Sequence, residues 1–173
     1  MISTHPTSKR IILCIDNDEA MLRYEKALLK RPVYAVLTAA SAQQGLRLVT
    51  MCKCDAVLLD YNLPVIDGYE VACEIKRVLP DLILIMVSGS EVPTHALALA
   101  DAFVPKLEAS RQLLPMIAEL CARTRDTRQK QEDLSSQIGD SPPRPSPSVA
   151  FEYGLRSLGI ATRARGGFLM EEL

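Results

Sequence analysis

The sequence predicts an α/β fold: a doubly wound, five-stranded parallel sheet with helices on both faces. Three observations predict it. Apolar runs of strand length alternate with segments of helical period, β then α, five times between residues 9 and 123. The runs at 57–59 and 82–87 are apolar at consecutive positions, as in strands buried on both faces of a parallel sheet. Several runs stop abruptly on a polar residue: Asp16, Asp60, Ser88 and Lys106. Parallel strands need crossover connections, which close right-handed and lay helices over the sheet.

The elements follow in order. Residues 11–15 form the first strand, ending in Asp16-Asn17-Asp18-Glu19. A helix follows with Met21, Leu22, Leu28 and Leu29 on one face, stopped by Arg31-Pro32. Residues 33–38 alternate and suit a strand. Ser41-Ala-Gln-Gln44 resembles a capping box and opens a helix with Leu46, Val49 and Met51 inward. The run Val57-Leu-Leu-Asp60 is the third strand. Leu63-Pro64 turns the chain, and Asp67-Gly68 opens a helix with Val71, Ala72, Ile75, Val78 and Leu79 inward, ending before Pro80. Residues 82–87 are the most apolar strand, ending at Ser88-Gly-Ser90. Residues 93–100 suit a short helix, and 102–105 a short strand that ends at Lys106. Ser110 opens the last helix, with Leu113, Leu114, Ile117, Leu120 and Cys121 inward and Pro115 early, where a missing N–H is best tolerated.

Composition changes near Arg123. The stretch 123–133 is charged and lacks an apolar face, and Ser141-Pro-Pro-Arg-Pro-Ser-Pro-Ser148 suits neither helix nor sheet. Residues 9–123 are therefore expected to form one domain, and 124–173 a mostly disordered Pro/Ser-containing C-terminal tail. Of the 173 residues, 48% are apolar, enough for a core, and the net charge of −1 suggests no wholesale attraction to nucleic acid or membrane. No apolar run reaches transmembrane length, and the first residues lack the basic and apolar regions of a signal peptide. The five cysteines, with Cys14, Cys73 and Cys121 in apolar-periodic segments, read as free thiols of a reducing cytoplasm. Cys52-Lys-Cys54 has no second pair and no nearby His, which favours ordinary helix-end cysteines over a structural metal.

Parallel strands bring their C-termini to one edge, where open α/β sheets bind ligands. Asp16-Asn17-Asp18, Asp60, Ser88 and Lys106 converge there. Clustered acids repel one another and call for a cation. Oxygen donors suit Mg²⁺, which takes one or two carboxylates, waters and a phosphate. A hydroxyl and an ammonium alongside suit a phosphoryl group.

These pieces resemble the receiver domain of two-component response regulators. The resemblance is carried by Ile12-Leu-Cys-Ile-Asp16-Asn17-Asp18-Glu19, Val57-Leu-Leu-Asp60-Tyr-Asn62-Leu-Pro64-Val-Ile-Asp67-Gly68, Ile85-Met-Val-Ser88-Gly and Phe103-Val-Pro-Lys106. It implies the flavodoxin-like (βα)5 receiver fold. It implies Asp60 as phosphoacceptor, with Ser88 and Lys106 contacting the phosphoryl group. Mg²⁺ would be held by Asp16, Asn17, Asp60 and the backbone carbonyl of Asn62, and Phe103 would be the switch aromatic. The implied donor is a histidine kinase or phosphotransfer protein, and the implied output is binding to a downstream protein through about 93–123. The charge balance and the lack of a helix-turn-helix pattern or a transmembrane-length run lead to the expectation of no nucleic acid and no membrane. Such a domain is no classical enzyme, but it catalyses its own phosphoryl transfer and dephosphorylation.

Three departures stand out. Asn17 replaces the usual second acid, which removes one charge from the cation site. Leu107 follows Lys106 where the family carries a cis-proline; a non-proline cis bond costs about 2.5–4 kcal/mol, so this loop is either trans or strained. Phe103 lacks the hydroxyl of the commoner Tyr. Asn17 and Leu107 raise an alternative: a degenerate receiver that binds partners without phosphorylation. An aspartate-nucleophile phosphohydrolase is disfavoured, because Asn62 stands where its second Asp would act as acid and base. A Ser-His hydrolase on Ser88 or Ser90 with His95 lacks the Gly-x-Ser-x-Gly elbow.

Overall fold

The computed structural model describes residues 9–137. Strands β1 (Arg10–Ile15), β2 (Tyr34–Ala39), β3 (Ala56–Asp60), β4 (Ile83–Ser88) and β5 (Ala102–Pro105) alternate with helices α1 (Glu19–Leu28), α2 (Ala42–Met51), α3 (Gly68–Val78), α4 (Thr94–Leu97) and α5 (Ala109–Gln137). A single 3₁₀ turn, Lys106–Glu108, joins β5 to α5. All neighbouring strands pair parallel, in the order β2-β1-β3-β4-β5. The doubly wound α/β architecture expected from the sequence is therefore present. The chain leaves β1 toward β2 on one side and resumes on the other with β3. The crevice between the C-terminal ends of β1 and β3 is the topological switch point.

Strand alternation assigns the two faces. Leu13 and Ile15 point into one core layer with Leu46 and Val49 of α2, Val71 and Ile75 of α3 and Ala96 of α4. Ile12 and Cys14 point into the other with Leu22 and Leu29 around α1, and Leu113 and Ile117 of α5. β3 and β4 are buried at every position, which explains their unbroken apolar runs. Local signals fix the helix starts. Ser41 Oγ accepts from Gln44 N at 3.2 Å, and Gln44 Oε1 reaches back to Ala40 N at 2.9 Å. Asp67 caps α3 by accepting from Glu70 N at 2.9 Å.

Several expectations are corrected. Met51 is exposed: it ends α2 two residues after the buried Val49, which turns it to the opposite face of the helix. α4 is confined to four residues and has no side-chain cap, since Pro93 supplies none. The last helix does not close near Arg123: α5 runs to Gln137. The added stretch is rich in Arg, Gln, Lys and Glu, which lose little side-chain freedom in a helix. It propagates from a turn already nucleated by packing, so it needs no apolar face of its own. Pro115 lies in the second turn of α5, where it removes the bond to the Arg111 carbonyl. The expected disorder of residues 138–173 lies outside the described residues, as do residues 1–8. Among the described residues all peptide bonds are trans, including that between Lys106 and Leu107. No helix there is long and apolar enough to cross a membrane.

Candidate functional site

The switch-point crevice gathers acids from two strands. Asp16 follows β1 directly and is 2% exposed, while Asp60 is the last residue of β3 and is 3% exposed. Each is fixed by its own loop. Asp16 Oδ1 accepts from Asp18 N at 2.7 Å, and Asp60 Oδ1 accepts from Asn62 N at 3.1 Å. Those turns leave Oδ2 of each acid for a shared partner. Lys106 Nζ lies 2.7 Å from Asp16 Oδ2 and 3.0 Å from Asp60 Oδ2. One ammonium thus bridges two buried carboxylates from three strand ends.

Burial pushes the Asp16 carboxyl up, with its bonds to Lys106 and Asp18 pulling the other way. Burial also pulls the Lys106 ammonium down, but hydrogen bonds to Asp16 and Asp60 outweigh it and hold the group above its usual range. The charged lysine is therefore the stable form.

A hydroxyl cluster lies beside the acids. Ser88 ends β4, one position beyond the Val87 that pairs with Asp60, and is buried. Asn62 Nδ2 donates to Ser88 Oγ at 3.1 Å and to Ser90 Oγ at 3.0 Å. Ser90 N donates to Ser88 Oγ at 3.1 Å. The β3–α3 loop folds back tightly enough that Gly68 N donates to Tyr61 O at 3.0 Å. A Cβ on Gly68 would stand 2.6 Å from the Asp60 carbonyl oxygen.

The fold thus brings Asp16, Asp60, Lys106, Asn62 and Ser88 together. Asn17 sits at the same edge and is exposed. Asp18 does not turn inward; its Oδ1 accepts from Ala20 N at 2.8 Å and caps α1. Phe103 is half-buried on β5 in register with Met86, against the α2–α3–α4 layer.

Two residues near the site escaped the sequence reading. Ser90 joins the cluster through Asn62, and only the Ser-Gly-Ser spacing hinted at it. Glu25 is 2% exposed on α1. Its place three after Leu22 and four before Leu29 was the legible signal. Burial, reinforced by the Asp16 charge, pushes its carboxyl up to about 8.

The Response regulator receiver domain model matches residues 12–118. The chain belongs to the response regulator receiver family. This receiver is 32% identical over 117 residues to response regulator MprA of Mycolicibacterium vanbaalenii, covering 65% of this chain and 51% of that protein. The chain thus spans about half the length of the curated relatives it matches first. A CheY-like receiver domain protein from Methanospirillum hungatei superposes with a TM-score of 0.65 at 30% identity, covering 69% of this chain and 99% of that one. Response regulator TrrA of Thermotoga maritima, solved in complex with Mg²⁺-BeF, gives a TM-score of 0.59 at 26% identity, covering 64% and 98%. The receiver fold and its place in two-component signalling follow.

Proposed function

We propose that this receiver accepts a phosphoryl group on Asp60 from a phosphohistidine donor and signals by binding another protein. The observation that carries the reading is the Lys106 ammonium shared by Asp16 and Asp60, with the Ser88 hydroxyl alongside. An Asp60 carboxylate oxygen attacks the donor phosphorus, the P–N bond breaks, and an acyl phosphate forms while the donor imidazole leaves with its electron pair. Lys106 then pairs with a phosphoryl oxygen, and Ser88 donates its O–H to another. The protein's part is position and charge neutralisation.

The donor set fits Mg²⁺. Two buried carboxylates converge so closely that one cation already satisfies both. Oxygen ligands are what this hard ion takes. Asp16, Asp60, the Asn62 carbonyl and Asn17 would hold it, and when bound it would neutralise charge on the phosphoryl oxygens. A histidine kinase or phosphotransfer protein is the donor class that this chemistry fits, and the cytoplasm the compartment. The phosphorylation-independent alternative is not favoured, because the acid pair keeps its lysine and the Ser88 hydroxyl is held at the same edge through Asn62. The test is incubation with Mg²⁺ and acetyl phosphate or phosphoramidate, read by intact mass. One added phosphoryl group is expected, and Asp60→Asn should remove it. Labelling that persists in that variant overturns the assignment.

A further inference from the structure

Helix α1 turns Leu22, Glu25 and Leu29, at its C-terminal end, toward the sheet, the spacing of a core stripe. Leu22 and Leu29 pack in the α1–α5 layer. Glu25 lies between them, fully enclosed, and its Oε2 has no hydrogen-bond partner among the described residues. Cys14 of β1 enters the same layer. Asp16 follows two residues after Cys14, and the charges of Asp16, Lys106 and Asp60 act on the Glu25 carboxyl. A carboxyl in an apolar stripe costs stability, and a leucine would fill the stripe. The titratable groups facing it are Cys14 and Asp16 from β1, Asp60 from β3 and Lys106 beyond β5. From α5 the layer receives Leu113 and Ile117, and from β2 the ring of Tyr34.

We propose that Glu25 is a positioning residue of the pocket: a third acid, neutral while Lys106 bridges Asp16 and Asp60, and ionised when a divalent cation engages those two carboxylates. The inference rests on the reading above, in which Asp16 and Asp60 hold the cation. A dication brings more positive charge beneath the loops than the ammonium alone, which favours the carboxylate form of Glu25 and sends its proton to solvent. Coupling is reciprocal, so the ionised Glu25 tightens the cation in return. With Asp16 and Asp60 it restores the count of three acids that Asn17 leaves short.

The full chain and Glu25→Gln are titrated with Mg²⁺ by calorimetry, in two buffers of different ionisation enthalpy. Affinity is followed from about pH 6 to about pH 8.5. The wild type should release a large fraction of a proton per Mg²⁺, and its affinity should rise roughly tenfold across that range. Glu25→Gln should release none, and its affinity should stay flat. A carboxyl ¹³C titration of the wild type gives a second measurement that needs no variant. The Glu25 midpoint should fall by at least about one pH unit when Mg²⁺ is added. Equal proton release in both proteins, or a midpoint that ignores Mg²⁺, overturns the role of Glu25 and leaves the pocket standing. Absence of any Mg²⁺ binding overturns both.

Discussion

The Lys106 ammonium lies 2.7 Å from the Asp16 carboxylate, across 90 residues of sequence. The acid is buried and the lysine largely so, and removing one partner of such a pair strands the other without water. Lys106→Met should therefore lose roughly 3 kcal/mol of stability at neutral pH. Because a second cation can take the same two carboxylates, Mg²⁺ should restore part of the loss. Urea unfolding with and without Mg²⁺ checks both statements. A variant as stable as the wild type would mean that the acids do not need the ammonium.

Gly68 N donates to Tyr61 O, and a Cβ there would press on the backbone of the residue that carries the site. Backbone cannot swing aside as a long side chain can. Gly68→Ala should cost about 2 kcal/mol by overpacking. It should also slow acetyl-phosphate labelling, since the Asp60 carbonyl must shift. Thermal unfolding and intact mass report the two effects separately.

Val65, in the same loop, has φ of 73° and a fully exposed side chain. A β-branched residue in that region clashes with its own backbone and gains nothing from packing. Asn tolerates the conformation, so Val65→Asn should stabilise the protein by about 1 kcal/mol. Val65→Ile should not. A melting temperature for Val65→Asn at or below the wild-type value would refute the strain.

Burial of Glu25 sets a pH dependence of stability. Its carboxyl is held up to about 8 in the fold, against an ordinary 4.5. Between those values the folded state binds the extra proton. The stability Glu25 allows is present below the unfolded value and is lost as pH rises through about 8. The wild type should lose up to about 1 kcal/mol per pH unit across that window, and Glu25→Gln should flatten this component. Urea midpoints at several pH values measure the difference.

The architecture was legible because period carries it: unbroken apolar runs at β3 and β4, and 3.6-residue stripes on α2 and α3, each point to one solution. The pocket was legible because parallel strands deliver Asp16, Asp60, Ser88 and Lys106 to one edge whatever their side chains do. Which atom meets which was not. Asp18 reads as a possible ligand in sequence, yet the helix start claims its oxygen. Burial of Glu25 was not legible because charged residues rarely enter a core, and only its place on the Leu22–Leu29 stripe points to it. The end of α5 at Gln137 is not legible, because residues 124–137 carry no apolar period in the sequence.

Asn17 offers the last prediction. It is exposed at the edge of the pocket, where an acid would join Asp16 and Asp60 around a cation. At such a site an added carboxylate interacts with a dication through partly aqueous surroundings, worth at least about 1 kcal/mol. Asn17→Asp should tighten Mg²⁺ roughly fivefold and lower the Mg²⁺ needed for half-maximal labelling. The added negative charge also repels an anionic donor, so labelling at saturating Mg²⁺ should not accelerate in proportion. Calorimetry gives the affinity and intact mass gives the labelling. Unchanged Mg²⁺ affinity would show that position 17 lies outside the ligand set, and the cation would then depend on Asp16, Asp60 and the Asn62 carbonyl.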